Sequence, residues 1–258
     1  MSRVYTTEIT SEEIPSDNPI HQRLFKAYVV AEDQVHGDVL EVGCGEGRGL
    51  DLVIPRSKTF TAIDKIEPVM ARLQKKFPQG KFQAMNIPPF AGLPDASFDS
   101  VISFQVIEHI EDDALFLKEI HRVMRPGAIA MLTTPNRKMS LSRNPWHVRE
   151  YLPKELENLA REFFTDVTMK GIGGNDKVMA YYEENKRSVR RITRFDIFNL
   201  QYRLPASILR LPYEFLNRFN RNSLQAGNGS LVTNISHEDY TVMEDATDAL
   251  DLLLIVRK

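Results

Sequence analysis

The chain has one cysteine, Cys44, and one tryptophan, Trp146, and no long apolar run. A single cysteine excludes an intramolecular disulfide and fits a reducing compartment. The longest apolar stretch, Leu252 to Val256, is far too short to cross a bilayer. The opening residues, MSRVYTTEITSEEIPSD, hold no apolar core and carry acids early, so no secretory signal is expected. Neither charge is in excess: 33 Lys and Arg stand against 35 Asp and Glu, a formal net charge of −2. That balance argues against a nucleic-acid binder taken as a whole. Repeats, low-complexity tracts and the phosphate-binding G-x-x-x-x-G-K-[ST] loop are lacking too. No His/Cys/Asp group has the spacing of metal ligands along the chain, so no metal is expected. What remains is 258 residues, 42% hydrophobic, enough for a sizeable core in a cytoplasmic protein.

The present residues alternate between two periods. A helical pattern runs from Ile20 to Val35, after a polar stretch over 1–18. Strands are expected at 38–42, 59–64, 81–85, 98–104 and 128–134. Helices are expected over 67–77, with Pro68 in the first turn, and from Asp112 or Asp113 to Met124. A helix from Pro153, a sixth strand at 163–171 and a last strand in ALDLLLIVRK complete the pattern. Strands alternating with helices imply βαβ units and a parallel sheet whose ligand crevice opens at the carboxyl strand ends.

The segment VLEVGCGEGRG (39–49) places Glu41 on a strand and glycines at 43, 45, 47 and 49. Counted from Gly43, the third glycine of a dinucleotide turn would fall on Arg48, so that pattern fails. The string E-x-G-x-G-x-G instead resembles motif I of class I S-adenosylmethionine (SAM)-dependent methyltransferases. FTAIDKIEPVM, GLPDASFDSVISFQVIEHIED and EIHRVMRPGAIAMLTTPN are similar to the later motifs of their type 11 branch, which includes ubiquinone-biosynthesis enzymes. The resemblance covers roughly residues 38–135 and, more loosely, the last strand. It implies an α/β fold: a Rossmann-like seven-stranded sheet with helices on both faces and the last strand antiparallel. Residues 1–37 would be an arm and covering helix, and 38–258 the methyltransferase domain, with a helical, lid-like insertion at about 175–245 before the last strand.

The resemblance further implies a SAM cofactor, leaving as S-adenosyl-L-homocysteine. Gly43, Cys44 and Gly45 would bend under its methionine part, with Glu41 near its amino group. Asp64 would accept from both ribose hydroxyls, as the ribose acid of dinucleotide folds does. Asn86 and Ile87 would flank the adenine, and Gln105 would lie beneath the reacting end. Many relatives have Asp where this chain has Asn86. NIPPF (86–90) looks like the tetrapeptide of amino-methylating DNA enzymes but follows the third strand, not the fourth, and reads as a loop.

Methyl transfer needs mostly proximity and orientation, plus a base where the acceptor must lose a proton. NPWHVREY (144–151) supplies the catalytic candidates. His147 is the base candidate, Glu150 and Tyr151 would orient it or the substrate, and Trp146 could wall the acceptor. Glu108 and His109 suit tethering of a loop. His21 and Arg23 are surface helix charges or a clamp on the cofactor's carboxylate.

Residues 186–221 carry nine Lys or Arg (186, 187, 190, 191, 194, 203, 210, 218, 221) against Asp196 and Glu214, among many aromatics. The expected form is a lid of short helices broken at Pro205 and Pro212, apolar residues inward. Peripheral membrane contact through this stretch, a dimer surface and RNA docking stay open. The leading function is a methyltransferase for a small-molecule acceptor, oxygen preferred because of His147, with no nucleic acid as partner and an oligomer open. A silent SAM-fold scaffold, or an RNA or protein methyltransferase docking through the basic stretch, are the alternatives.

Overall fold

A computed structural model gives the structure of the protein and describes residues 14–258. Most of the expected arm lies outside the described residues. The strands are β1 (Asp38–Val42), β2 (Thr59–Asp64), β3 (Gly80–Ala84), β4 (Phe98–Phe104), β5 (Met124–Pro135), β6 (Asp166–Gly174), β7 (Tyr240–Met243) and β8 (Asp251–Arg257). They form one sheet in the order β3-β2-β1-β4-β5-β8-β6-β7. β1 to β5 pair in parallel. β8 enters antiparallel between β5 and β6, and β7 adds an antiparallel edge to β6. The sheet thus has one strand more than the seven expected. YTVM is only four residues long and sits inside the stretch that reads as insertion.

Burial follows this order. β1 and β4 are buried along nearly their whole length because both faces are covered. In β8 the side chains alternate: Leu253 joins the core on one face, Leu252 and Leu254 the core on the other. Against the faces lie α1 (Asn18–Glu32), α2 (Leu50–Val53), α3 (Glu67–Lys76), α4 (Asp113–Val123) and α5 (Pro153–Arg161). Pro68 occupies the first turn of α3. Asp112 caps α4, its side chain accepting from the Leu115 N–H at 2.8 Å.

Between β6 and β7 come α6 (Asp176–Thr193), α7 (Leu200–Arg203), α8 (Ala206–Gly227) and α9 (Gly229–Thr233). α8 packs on α6 and α9. Its tie to the front of α1 is Asp17, fully buried, which accepts from Arg218 at 2.7 Å and from Arg221 at 3.0 Å. Two expectations for this stretch are corrected. Pro205 does precede α8, but Pro212 lies inside that 22-residue helix, which continues past the one bond a proline cannot donate. Nor do the apolar residues all turn inward. Phe195, Ile197, Leu211 and Phe215 are each more than 70% exposed, left uncovered by the other described residues.

Candidate active site

The order of the sheet reverses between β1 and β4, and there the crevice opens. β1 ends at Val42 and the chain turns through glycines in the left-handed region, Gly43 at φ +78° and Gly45 at φ +49°. A Cβ on Gly43 would collide with the Val106 side chain, so the turn needs glycine for space as well as for φ. Gly45 faces open space, leaving its backbone accessible to a ligand. The loop is tied down by main-chain bonds: Gly43 N–H donates to Ile63 at 2.7 Å, and Gly45 N–H to the Asp64 carboxylate at 3.0 Å. The other Asp64 oxygen accepts from the Ile66 N–H at 3.0 Å.

Gly43, Cys44, Gly45, Asp64, Asn86, Ile87 and Gln105 all line one cavity of about 520 Å³. Gln105 is held at φ +60°, unusual for a residue with a side chain, by its N–H donating to Thr133 at 2.8 Å. Burial pushes the Cys44 thiol well above its ordinary range, so it is a wall and not a nucleophile. Glu41 stands apart from the set. It is 1% exposed and off the cavity wall, and one oxygen accepts from the Tyr28 hydroxyl at 2.7 Å. Its second oxygen is buried with no partner among the described residues, and burial raises its pKa to about 7.

At the other end of the cavity lie Glu108 and His109, in the turn after β4, with Asn144, His147 and Glu150. Hydrogen bonds fix the tautomers here. Trp146 N–H donates to Asn144 Oδ1 at 3.0 Å, which orients the amide so that its Nδ2 donates to His147 Nε2 at 2.8 Å. The ring proton of His147 is therefore on Nδ1, donating to Glu150 Oε1 at 2.6 Å. Glu150 also accepts from the Ser140 hydroxyl. In His109 the proton is again on Nδ1, since the partner is the Trp146 carbonyl at 2.9 Å. Burial lowers the His109 pKa to about 4 and raises that of Glu108 to about 7. The Glu108 carboxylate accepts from Thr134 at 2.9 Å, and its carbonyl from the N–H groups of Val148 and Arg149. That is the expected tether.

Three sequence expectations change. Tyr151 is not at the site: it is buried in the core, and its hydroxyl donates to Asp113 at 2.7 Å. Trp146 is off the wall as well, its ring under the Arg210 guanidinium at 4.2 Å. Spacing along the chain also hid a cluster, because Glu108, His109 and His147 each bring a ligand atom within 4.8 Å of the other two. Arg23 does reach the wall, paired with the buried Asp251 at 3.1 Å, whereas His21 meets Arg48.

Residues that sequence reading missed complete the roof. Tyr181, Tyr182 and Asn185 come from α6, and Tyr213, Asn217 and Asn220 from α8. Asn185 follows Tyr181 and Tyr182 by four and three residues, and Tyr213, Asn217 and Asn220 are four and three apart, a polar–aromatic stripe on each helix that could have been found by spacing.

Comparison with known proteins agrees with the geometry. Residues 40–132 match the type 11 family of methyltransferase domains. A Mycobacterium tuberculosis protein named "Probable S-adenosylmethionine-dependent methyltransferase" is 41% identical over 141 residues, 52% of this chain and 51% of that protein. A ubiquinone biosynthesis O-methyltransferase of Paracidovorax citrulli is 30% identical over 105 residues, 38% of this chain and 44% of that one. The chain thus spans about half the length of the curated relatives it matches. Among solved structures, a SAM-dependent methyltransferase of Thermotoga maritima covers 93% of this chain and 91% of its own length, with TM-score 0.55 at 16% identity. The matched stretch contains the glycine loop, Asp64 and the reversal of strand order, and over these residues the chain is similar to SAM-dependent methyltransferase domains.

Proposed function

We propose that the chain is an enzyme that transfers the methyl group of SAM to an oxygen of a small molecule. One observation carries this reading: a single cavity joins the glycine loop and Asp64 to the His147–Glu150 pair. The residues present fit the cofactor. The open space over Gly45 admits a ligand against the backbone, and Asp64 keeps lone pairs for a ribose diol. The unpartnered oxygen of Glu41, behind Tyr28, suits a cationic neighbour such as an amino group.

SAM supplies an electrophilic methyl on a sulfonium, and the protein's part is to aim an acceptor at it and exclude water. Glu150 holds the Nδ1 proton of His147, which leaves Nε2 as the basic nitrogen for an acceptor hydroxyl. The Asn144 amide occupies that position in this structure and stands in for the hydroxyl as donor. Tyrosines and asparagines of α6 and α8 form the roof, an amphiphilic surface suited to a ring or chain with polar substituents.

Calorimetric titration of SAM and S-adenosylhomocysteine, into wild type and Asp64→Ala, tests the reading. Micromolar binding, weakened about ten- to hundredfold in the variant (about 1–3 kcal/mol), is expected. Folded protein that binds neither ligand would return the scaffold reading to the front.

A second reading concerns where the enzyme works. Apolar side chains of α7 and α8 stand exposed, and Arg191 and Arg194 line one surface hollow with Phe195 and Leu216, which suits contact with an anionic lipid surface. No helix among the described residues is long and apolar enough to cross a membrane, so such contact would be peripheral. Flotation with anionic vesicles tests it.

A further inference from the structure

We propose that Glu108, His109 and His147 form a binding site for one divalent transition-metal ion at the acceptor end of the cavity. The three come from two places far apart in the chain, the turn after β4 and the NPWHVREY loop. Folding nevertheless brings one ligand atom of each within 4.8 Å of the others, and all three residues line the cavity. Metal–nitrogen and metal–oxygen bonds of about 2.0–2.2 Å need that kind of convergence, with small adjustments on binding.

The surroundings of the imidazoles point the same way. Each gives its Nδ1 proton to an oxygen outside the cluster, His109 to the Trp146 carbonyl at 2.9 Å and His147 to Glu150 at 2.6 Å. Such bonds fix the tautomer and ring plane and place the lone pair on Nε2, the arrangement that metal-bound histidines adopt. Glu150 is itself braced by Ser140, so the support is two bonds deep. On the carboxylate, Thr134 donates to one Glu108 oxygen at 2.9 Å, which orients the group. At His147 the Asn144 amide holds a place at 2.8 Å from Nε2 and must turn aside for a cation.

Two imidazoles and one carboxylate suit Zn²⁺, Mn²⁺ or Fe²⁺ better than Mg²⁺ or Ca²⁺, which prefer oxygen ligands throughout. Three protein ligands leave positions open toward the cavity, as in catalytic rather than structural sites. The inference rests on the proposed methyl transfer to oxygen and deepens it. An acceptor hydroxyl at an open position would have its O–H bond weakened by the cation and lose the proton to solvent at the cavity mouth. His147 then acts as a ligand, and its role as base is confined to the metal-free protein.

Cobalt(II) is the probe, because its visible absorption reports nitrogen and oxygen ligation directly. Protein stripped with a chelator is titrated with Co²⁺ and then with competing Zn²⁺, while SAM binding is measured calorimetrically on the same samples. One Co²⁺ per chain, with a ligand-field band that Zn²⁺ abolishes, is expected. His109→Gln and Glu108→Gln should each weaken Co²⁺ binding more than tenfold while SAM still binds, which also shows that the variants are folded. Glu150→Gln, which disturbs only the supporting bond, should cost about ten- to hundredfold in metal affinity. If wild type binds SAM but no Co²⁺, the metal site is wrong and the methyltransferase reading stands. Binding of Co²⁺ that His109→Gln leaves untouched places the ion elsewhere and equally overturns the site. Protein that binds neither SAM nor Co²⁺ overturns both.

Discussion

The floor and the roof of the cavity are built by different means. On the floor, main-chain groups do the fixing: Gly43 N–H to Ile63 at 2.7 Å, Gly45 N–H to Asp64 at 3.0 Å, Gln105 N–H to Thr133 at 2.8 Å. In the roof, side chains hold helices to each other and to the body: Asn220 to Asn185 at 2.7 Å, Arg218 and Arg221 to Asp17 at 2.7 and 3.0 Å. A floor made of backbone tolerates most side-chain changes except at glycines and at the acid that braces them. A roof made of side-chain bonds can be released by one substitution, and can change its lining without disturbing the sheet. On the proposed function, one half would serve a constant cofactor and the other a variable acceptor.

Asp17→Ala is the sharpest way to break that contrast. It leaves Arg221, 6% exposed, with a buried charge and one carboxylate fewer. Removing one partner of such a group costs about 3–5 kcal/mol. The urea midpoint should fall accordingly, and α6–α9 should become more protease-sensitive before the sheet does. An unchanged midpoint would mean that the roof is held by packing and that the ion pairs are incidental.

Glu41→Gln probes the floor, and its effect depends on pH. The folded-state pKa of Glu41 is raised by burial to about 7, from an ordinary 4.5. Below pH 4.5 the carboxyl is protonated both folded and unfolded and costs nothing. As pH rises from 4.5 through 7 the unfolded chain ionises first, so wild type loses stability, up to roughly 3 kcal/mol above pH 7. Glutamine keeps an acceptor for Tyr28 and carries no charge. The variant should match wild type at low pH, exceed it above pH 7, and bind SAM more weakly for want of the anion. A gain in stability with undiminished SAM affinity would make Glu41 a purely structural group.

The same contrast decides what could be read in advance. Backbone demands leave marks in sequence: glycines at 43 and 45, an acid closing β2, Pro68 opening α3, alternation along β8. All seven expected strands stand close to their places for that reason. Demands met by side chains far apart in the chain leave no such mark. His147 and Glu150 were legible because they are neighbours, three residues apart, and the structure joins them at 2.6 Å. Glu108 and His109 meeting His147 across nearly forty residues was not legible. Tyr151 misled because its adjacency to Glu150 says nothing of direction, and on extended chain successive side chains face opposite ways. The exposure of α7 and α8 was hidden by a sound rule, that apolar helix faces turn inward, which holds only where something lies above them.

That exposed face gives the smallest effect on folding and the plainest test of what the roof is for. Leu211 and Phe215 lie four residues apart on α8, 80% and 72% exposed, with Pro212 between them. Side chains so open lose little on truncation, since most of their surface is already in water. Leu211→Ser with Phe215→Ser should therefore change stability by less than about 0.5 kcal/mol per site. SAM affinity, set on the floor, should not move. Retention on vesicles rich in anionic lipid should fall, because apolar insertion and the nearby arginines contribute together to peripheral binding. A loss of stability above about 1 kcal/mol would instead show the two residues packed against something in solution, and a second copy of the chain, visible as a dimer by light scattering, would then be the occupant to test.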